Sequence, residues 1–169
     1  MSDQRIVLFD DSSLMRRLLT GLLNEAGYHD ITAFSTLSEG WAYLDRPDVQ
    51  INLILMDKAL PDGDGIDAIK RIRATPHLTD KPVIMVTGFD DRDTLRDAFD
   101  AGATDFINKS FDEAALKARV RSALKLDAAL SAFIEGFVDE IRRSGIKSVP
   151  QRVAVIETRD HDDGLISQV

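Results

Sequence analysis

The chain contains no cysteine, which excludes disulfides and thiolate metal sites. Histidine is scarce too: His29, His77 and His161 are the only three. They share no ligand spacing, so surface positions and no metal role are expected for them. No apolar run approaches the ~18 residues of a membrane span. The N-terminal Met1-Ser2-Asp3-Gln4-Arg5 leads straight into a strand-like segment and lacks the basic start and apolar stretch of a signal peptide. Basic residues are outnumbered, 21 Lys and Arg against 29 Asp and Glu, for a net charge of −8. That balance argues against a nucleic-acid surface. A cytoplasmic protein is expected, with no membrane segment and no direct nucleic-acid contact.

What is present is ordinary in amount and regular in order. The 169 residues suit one domain with something appended. Hydrophobic residues make up 44% and charged residues 30%, enough for a core without disulfides. Ile6-Val7-Leu8-Phe9 is a continuous apolar run, as in a strand covered on both faces. A helical stripe follows, Leu14, Leu18, Leu19, Leu22, Leu23 and Ala26, stopped by Gly27. Ile31 to Phe34 reads as a second strand, and Ser35 as the cap of a short helix bearing Leu37, Trp41 and Leu44. Trp41 is expected to pack on the sheet. Ile51 to Met56 is a third strand, Pro61 to Gly65 a loop, and Ile66, Ile69 and Ile72 one face of a helix. Asp62 and Asp64 read as turn and cap residues. Val83 to Val86 is a fourth strand, Asp90 to Ala101 a helix, Phe106-Ile107 a fifth strand. A long helix begins near Asp112.

Five strand–helix units in series predict a doubly wound, five-stranded parallel sheet. Such sheets bind ligands beyond the carboxyl ends of their strands, where strand order reverses. Those ends carry Asp10-Asp11, Asp57, Thr87 and Lys109. Three converging carboxylates repel one another, and a divalent cation relieves the conflict. Oxygen ligands without His or Cys suit magnesium better than zinc. A carboxylate can also act as a nucleophile and form an aspartyl phosphate, a reaction that needs positioning and charge neutralisation more than covalent help. Magnesium, the Lys109 ammonium and the Thr87 hydroxyl are a sufficient set for that reaction.

The blocks Val7-Leu8-Phe9-Asp10-Asp11-Ser12, Leu55 to Gly65, Val86-Thr87-Gly88 and Gly102 to Lys109 resemble the signature segments of the response-regulator receiver domains of bacterial two-component systems, especially the chemotaxis type. Their order and spacing match over about residues 4 to 126. The resemblance implies a flavodoxin-like strand order, 2-1-3-4-5, with an extended C-terminal helix. It implies a phosphorelay role in which Asp57 accepts a phosphoryl group from a sensor histidine kinase or phosphotransfer protein. Asp10, Asp11, Asp57 and the Ala59 backbone carbonyl would hold Mg2+. Thr87 and Lys109 would contact the phosphoryl group, and Thr87 and Phe106 would form the switch that alters the surface around the fourth and fifth strand–helix units. In this reading the chain is a regulator and not an enzyme.

Two departures stand out. Ser110 follows Lys109 where the family usually has a proline joined by a cis bond. A cis bond before a non-proline costs about 2.5–4 kcal/mol, so either the strain is kept or the loop differs. Leu60 precedes Pro61 where methionine is frequent. Ala59 and Phe89, each two residues past a site residue, offer no polar group to orient water, which predicts slow self-dephosphorylation. A haloacid-dehalogenase-like phosphotransferase would want a second carboxylate at position 59, and a flavodoxin-like cofactor binder would not place Asp10-Asp11 in its phosphate loop.

Residues 1–126 form the receiver in this reading, and 127–169 a helical extension. Leu116, Val120, Ala123, Leu126, Leu130, Phe133, Phe137 and Ile141 recur at steps of three and four. They could form a homodimer seam or pack on their own domain, with a break near Asp127. Residues 127–169 carry five basic and eight acidic residues, which again disfavours DNA. Glu157 to Leu165 faintly resembles the start of an HD-type cyclic-dinucleotide phosphodiesterase domain, which would make the chain the receiver fragment of a longer regulator. Chance is the better explanation of so short a match.

Overall fold

Strands that bury both faces need helices on both sides, and the alternating sequence supplies them. A computed structural model of the chain describes residues 4–88 and 92–143. The order is β1 (Ile6–Phe9), α1 (Ser13–Glu25), β2 (Ile31–Phe34), α2 (Leu37–Leu44), β3 (Leu53–Asp57), a hairpin of β4 (Ala59–Leu60) and β5 (Gly63–Asp64), α3 (Gly65–Ala74), β6 (Val83–Thr87), α4 (Arg92–Asp100), β7 (Asp105–Asn108) and α5 (Glu113–Arg143). The main sheet runs β2-β1-β3-β6-β7, and every neighbouring pair in it is parallel. This is the predicted flavodoxin-like order. The one unforeseen piece is the antiparallel β4–β5 pair, inside the segment expected to be a plain loop.

Period-two alternation along the strands sorts the core into two layers. Val7, Phe9, Ile54, Met56, Val83 and Met85 face the layer that holds Trp41 and Leu44 of α2, Ile69 and Ile72 of α3 and Ala98 of α4. Ile6, Leu8, Leu53, Leu55, Ile84 and Val86 face Leu19 and Leu23 of α1 and Leu116, Val120 and Ala123 of α5. Gly40 lets α2 approach β1: a Cβ there would lie 1.9 Å from Phe9 Cε1.

Several sequence expectations are corrected. Leu14 and Leu18 are exposed, 68% and 46%, so the buried face of α1 is narrower than its apolar stripe. Thr36, not Ser35, caps α2, because its hydroxyl accepts the Glu39 N–H. Ser35 instead donates its hydroxyl and backbone N–H to the Glu39 carboxylate, one residue ahead of the N–H that a capping box would use. The third strand begins at Leu53, since Asn52 turns its amide oxygen to the Arg5 N–H. His77 is half-buried against the Leu44 carbonyl at 2.7 Å, while His29 is exposed as expected. His161 lies outside the described residues.

α5 passes Asp127 without a break. The suggested interruption is absent, and Asp127 is buried and paired: Lys81 Nζ lies 3.1 Å from Oδ1 and Asn52 Nδ2 donates to Oδ2 at 3.3 Å. Arg73 ties the loops beneath β6, donating to the carbonyls of Thr79, Lys81 and Gly102. The chain divides into two compact units, Met1–Asp127 and Ala128–Val169. Among the described residues no helix is long and apolar enough to cross a membrane.

Candidate functional site

The order of the sheet reverses between β1 and β3, and their register aligns Phe9 with Met56. The next residues, Asp10 and Asp57, therefore leave the sheet side by side. Asp10 is fully buried and Asp57 nearly so, while Asp11 is exposed. One carboxylate oxygen from each of the three lies within 4.8 Å of the others. On the far side, β6 ends at Thr87, which is fully buried, one residue beyond the partner of Asp57. The Thr87 carbonyl accepts the Lys109 N–H at 2.8 Å. That bond brings the lysine back over the strand ends, and its Nζ lies 2.6 Å from Asp57 Oδ2 and 2.8 Å from Asp10 Oδ2.

The Lys109–Ser110 bond is trans, for no cis peptide occurs among the described residues. Ser110 holds the turn locally: its N–H and hydroxyl both donate to Asn108 Oδ1, at 2.8 and 2.7 Å. The loop thus differs from the proline form while the lysine still reaches the carboxylates.

Three carboxylates face one ammonium here. Burial is the main influence on Asp57 and pushes its carboxyl above the ordinary range; Lys109 opposes this and Asp10 adds to it. Burial also pulls the Lys109 ammonium down, but its bonds to Asp10 and Asp57 together outweigh that and hold it above the usual value. Asp10 divides its oxygens. Oδ1 accepts the Ser12 N–H at 2.9 Å. Oδ2 is buried without a hydrogen bond of proper geometry, although the Lys109 charge is close. A buried carboxylate oxygen with only an ammonium beside it, next to two more carboxylates, fits a hard divalent cation bound through oxygen.

The loops around the pocket are braced by acids doing structural work. Asp62 accepts the Leu37 and Ser38 N–H groups, both at 2.8 Å, so it satisfies the start of α2 from another loop. Asp64 caps α3 through Ile66 N at 2.7 Å and pairs with Lys58. Both fill the turn and cap roles expected of them. Gly65 has no room for a side chain, since a Cβ would lie 2.1 Å from the Asp57 carbonyl oxygen. Phe106 pairs in register with Met85 and packs half-buried on the core. The Arg119 guanidinium lies 5.9 Å from its ring centroid and holds Asp105 by two bonds, 2.6 and 2.8 Å. Ala59 is exposed, and its N–H makes a long 3.4 Å contact with Asp57 Oδ1. Phe89 lies outside the described residues.

Sequence reasoning missed the roles of Gly65 and Arg16. Gly65, beside the α3 cap, could have been suspected from its position in a crowded turn. The Arg16 guanidinium reaches the backbone carbonyls of Asp10 and Asp11, at 2.7 and 2.9 Å, and a carbonyl acceptor leaves no mark in a sequence.

The sequence model of the response regulator receiver domain matches residues 6–121. Among curated relatives, the chain is 29% identical over 120 residues to chemotaxis protein CheY1 of Helicobacter pylori, covering 71% of this chain and 96% of that protein. It is 30% identical over 153 residues to the transcriptional regulatory protein FixJ of Bradyrhizobium diazoefficiens, covering 90% and 71%. Among solved structures, a CheY-like response regulator receiver domain from Methanospirillum hungatei superposes with a TM-score of 0.69 at 25% identity. That match covers 76% of this chain and 98% of the other.

Proposed function

The chain belongs to the response regulator receiver family, whose place is in two-component phosphorelay signalling, and from that premise we propose that Asp57 is its phosphoacceptor. The observation that carries the reading is Lys109 Nζ bridging Asp57 Oδ2 and Asp10 Oδ2 in a cluster of three carboxylates. An Asp57 oxygen attacks the phosphorus of a phosphohistidine or small phosphodonor. The new P–O bond forms as the donor's bond to phosphorus breaks, and the donor leaves with that electron pair. Lys109 neutralises charge on the phosphoryl oxygens, and the Thr87 hydroxyl donates to one of them. Asp10, Asp11, Asp57 and the Ala59 carbonyl would hold Mg2+, whose positive charge would help offset that of the transferred group. No residue here has to form a second covalent bond, as expected where positioning and charge carry the rate.

The phosphodonor in this reading is a sensor histidine kinase or a phosphotransfer protein. Movement of Thr87 toward the phosphoryl group frees space for Phe106 to turn inward. The exposed surface of β7 and its flanking helices then changes for a partner. The methyl group of Ala59 cannot orient an attacking water, so the aspartyl phosphate is long-lived. The chain is itself the acceptor and does not turn over a separate substrate.

Incubation with Mg2+ and a small phosphodonor, read by intact mass, tests this. Wild type is expected to gain one phosphoryl group, Asp57→Asn none, and removal of Mg2+ by chelation should abolish the gain. Equal labelling of both proteins refutes the assignment. Loss of the group from purified wild type within minutes refutes the long lifetime alone.

A further inference from the structure

We propose that Arg16 is a positioning residue that fixes the turn between β1 and α1 so that Asp10 and Asp11 present their carboxylates to one cation. The inference rests on the metal site just proposed and assigns a residue that does not touch the metal.

Arg16 sits in the first turn of α1, and that turn contains no acidic residue. A cation there opposes the helix dipole, whose positive end favours anions. A local rule broken in this way needs a compensating contact. The guanidinium folds back over the helix start, and Nη1 donates to both Asp10 O at 2.7 Å and Asp11 O at 2.9 Å. These are consecutive carbonyls of the two residues expected to ligate the cation. The helix start is set independently. Ser12 caps α1 by accepting the Met15 N–H, and its carbonyl accepts the Arg16 N–H at 2.9 Å.

The turn is therefore held at three points. The Ser12 N–H occupies Asp10 Oδ1, the guanidinium occupies both carbonyls, and Asp10 Oδ2 is left buried facing the Lys109 ammonium. With the carbonyls turned to Arg16, the peptide planes on either side of Asp11 cannot rotate freely, and the direction of both side chains is set. Outer contacts that orient metal ligands commonly change metal affinity by about 10–100-fold when removed.

Charge and geometry predict opposite signs, which makes the idea testable. Removing a cation beside an acidic pocket should tighten Mg2+ by electrostatics alone. Removing a positioning contact should weaken it. The readout is the rise in melting temperature of the full chain as Mg2+ is added, since a ligand specific to the folded state raises stability with its concentration.

For Arg16→Gln, the Mg2+ concentration giving a half-maximal rise is expected to increase about tenfold or more. Arg16→Lys keeps the charge, but its nitrogen sits one side-chain atom short of Nη1, which makes both bonds, and an increase in the same direction is expected. Melting without Mg2+ reports any purely structural loss, and a changed apo melting point with unchanged Mg2+ dependence overturns the proposal. So does a fall in the half-maximal concentration for Arg16→Gln. Wild type should respond to Mg2+ and Asp11→Asn should respond weakly. If wild type shows no response, the metal reading itself fails and this inference falls with it. If wild type responds and both Arg16 variants match it, only the positioning role is lost.

Discussion

Asp57 ends β3 and Asp62 lies in the turn that follows it, yet their surroundings push them in opposite directions. Asp62 accepts two backbone N–H groups, Leu37 foremost, and its carboxyl is held below the ordinary range. Its contribution to stability is present above the unfolded value of about 3.9 and fades as pH falls through the lower folded one. Asp57 is the reverse. Burial raises its carboxyl above the ordinary range, so the folded state binds that proton more readily than the unfolded one. Stability from this group is therefore fullest below the unfolded pKa and declines as pH rises through the folded one. Replacing it removes the liability. In Mg2+-free buffer Asp57→Asn is expected to melt above wild type near neutral pH, with the gap closing as pH falls toward about 4. Parallel thermal melts across that range check it; a wild type that melts higher at neutral pH contradicts it. The identity of Asp57 was readable from its sequence block. The strain on it was not, because burial depends on β1, β6 and β7 closing around it.

At the scale of an element, α5 shows how far a periodic pattern can be read. Its stripe of apolar residues left a seam and a packing face equally open. Leu116, Val120 and Ala123 pack under the sheet, while Leu126, Leu130 and Phe133 are exposed at 59%, 39% and 71%. Spacing alone could not separate the two stretches, since both follow the same three-and-four step. What marks the change is Asp127, polar and yet 7% exposed, held by Lys81 and Asn52 from the amino ends of β6 and β3. Breaking a buried pair by removing one partner leaves the other charge stranded and costs about 3–5 kcal/mol. Asp127→Ala is expected to lose about that much in urea unfolding. The paired replacement Lys81→Met with Asp127→Leu is expected to recover most of it, because apolar residues of similar volume avoid the desolvation cost. A double variant as unstable as the single one would show that the pair does more than cancel its own burial.

At the scale of the whole molecule, we propose residues 1–126 as the receiver and 127–169 as an extension that pairs with a second copy. Exposed large hydrophobics in a regular helical row are characteristic of a surface covered by something else, and steps of four and three from Leu126 to Leu130 to Phe133 suit a coiled-coil seam. The full chain is expected to run as a dimer in size exclusion with light scattering, and Leu130→Glu combined with Phe133→Glu as a monomer. A wild type that stays monomeric at high concentration, phosphorylated or not, rules the seam out. The segment Glu157 to Leu165, which carries the faint phosphodiesterase likeness, lies outside the described residues.

The sequence by itself determined the class of fold, the strand order through its family likeness, and the identity of the charged residues at one edge. It could do so because apolar periodicity and chain order are local properties. Only the tertiary structure decided that Lys109 reaches both Asp10 and Asp57 through a trans bond at Ser110, and that Gly65 leaves no space beside Asp57. It also decided that Arg16 closes on two carbonyls, and where α5 stops being core. Each of these depends on groups far apart in the chain meeting at a particular distance. Asp57 is the point where the two kinds of information join: its place in the sequence makes it the proposed acceptor, and the packing around it makes it a buried carboxylate held by Lys109.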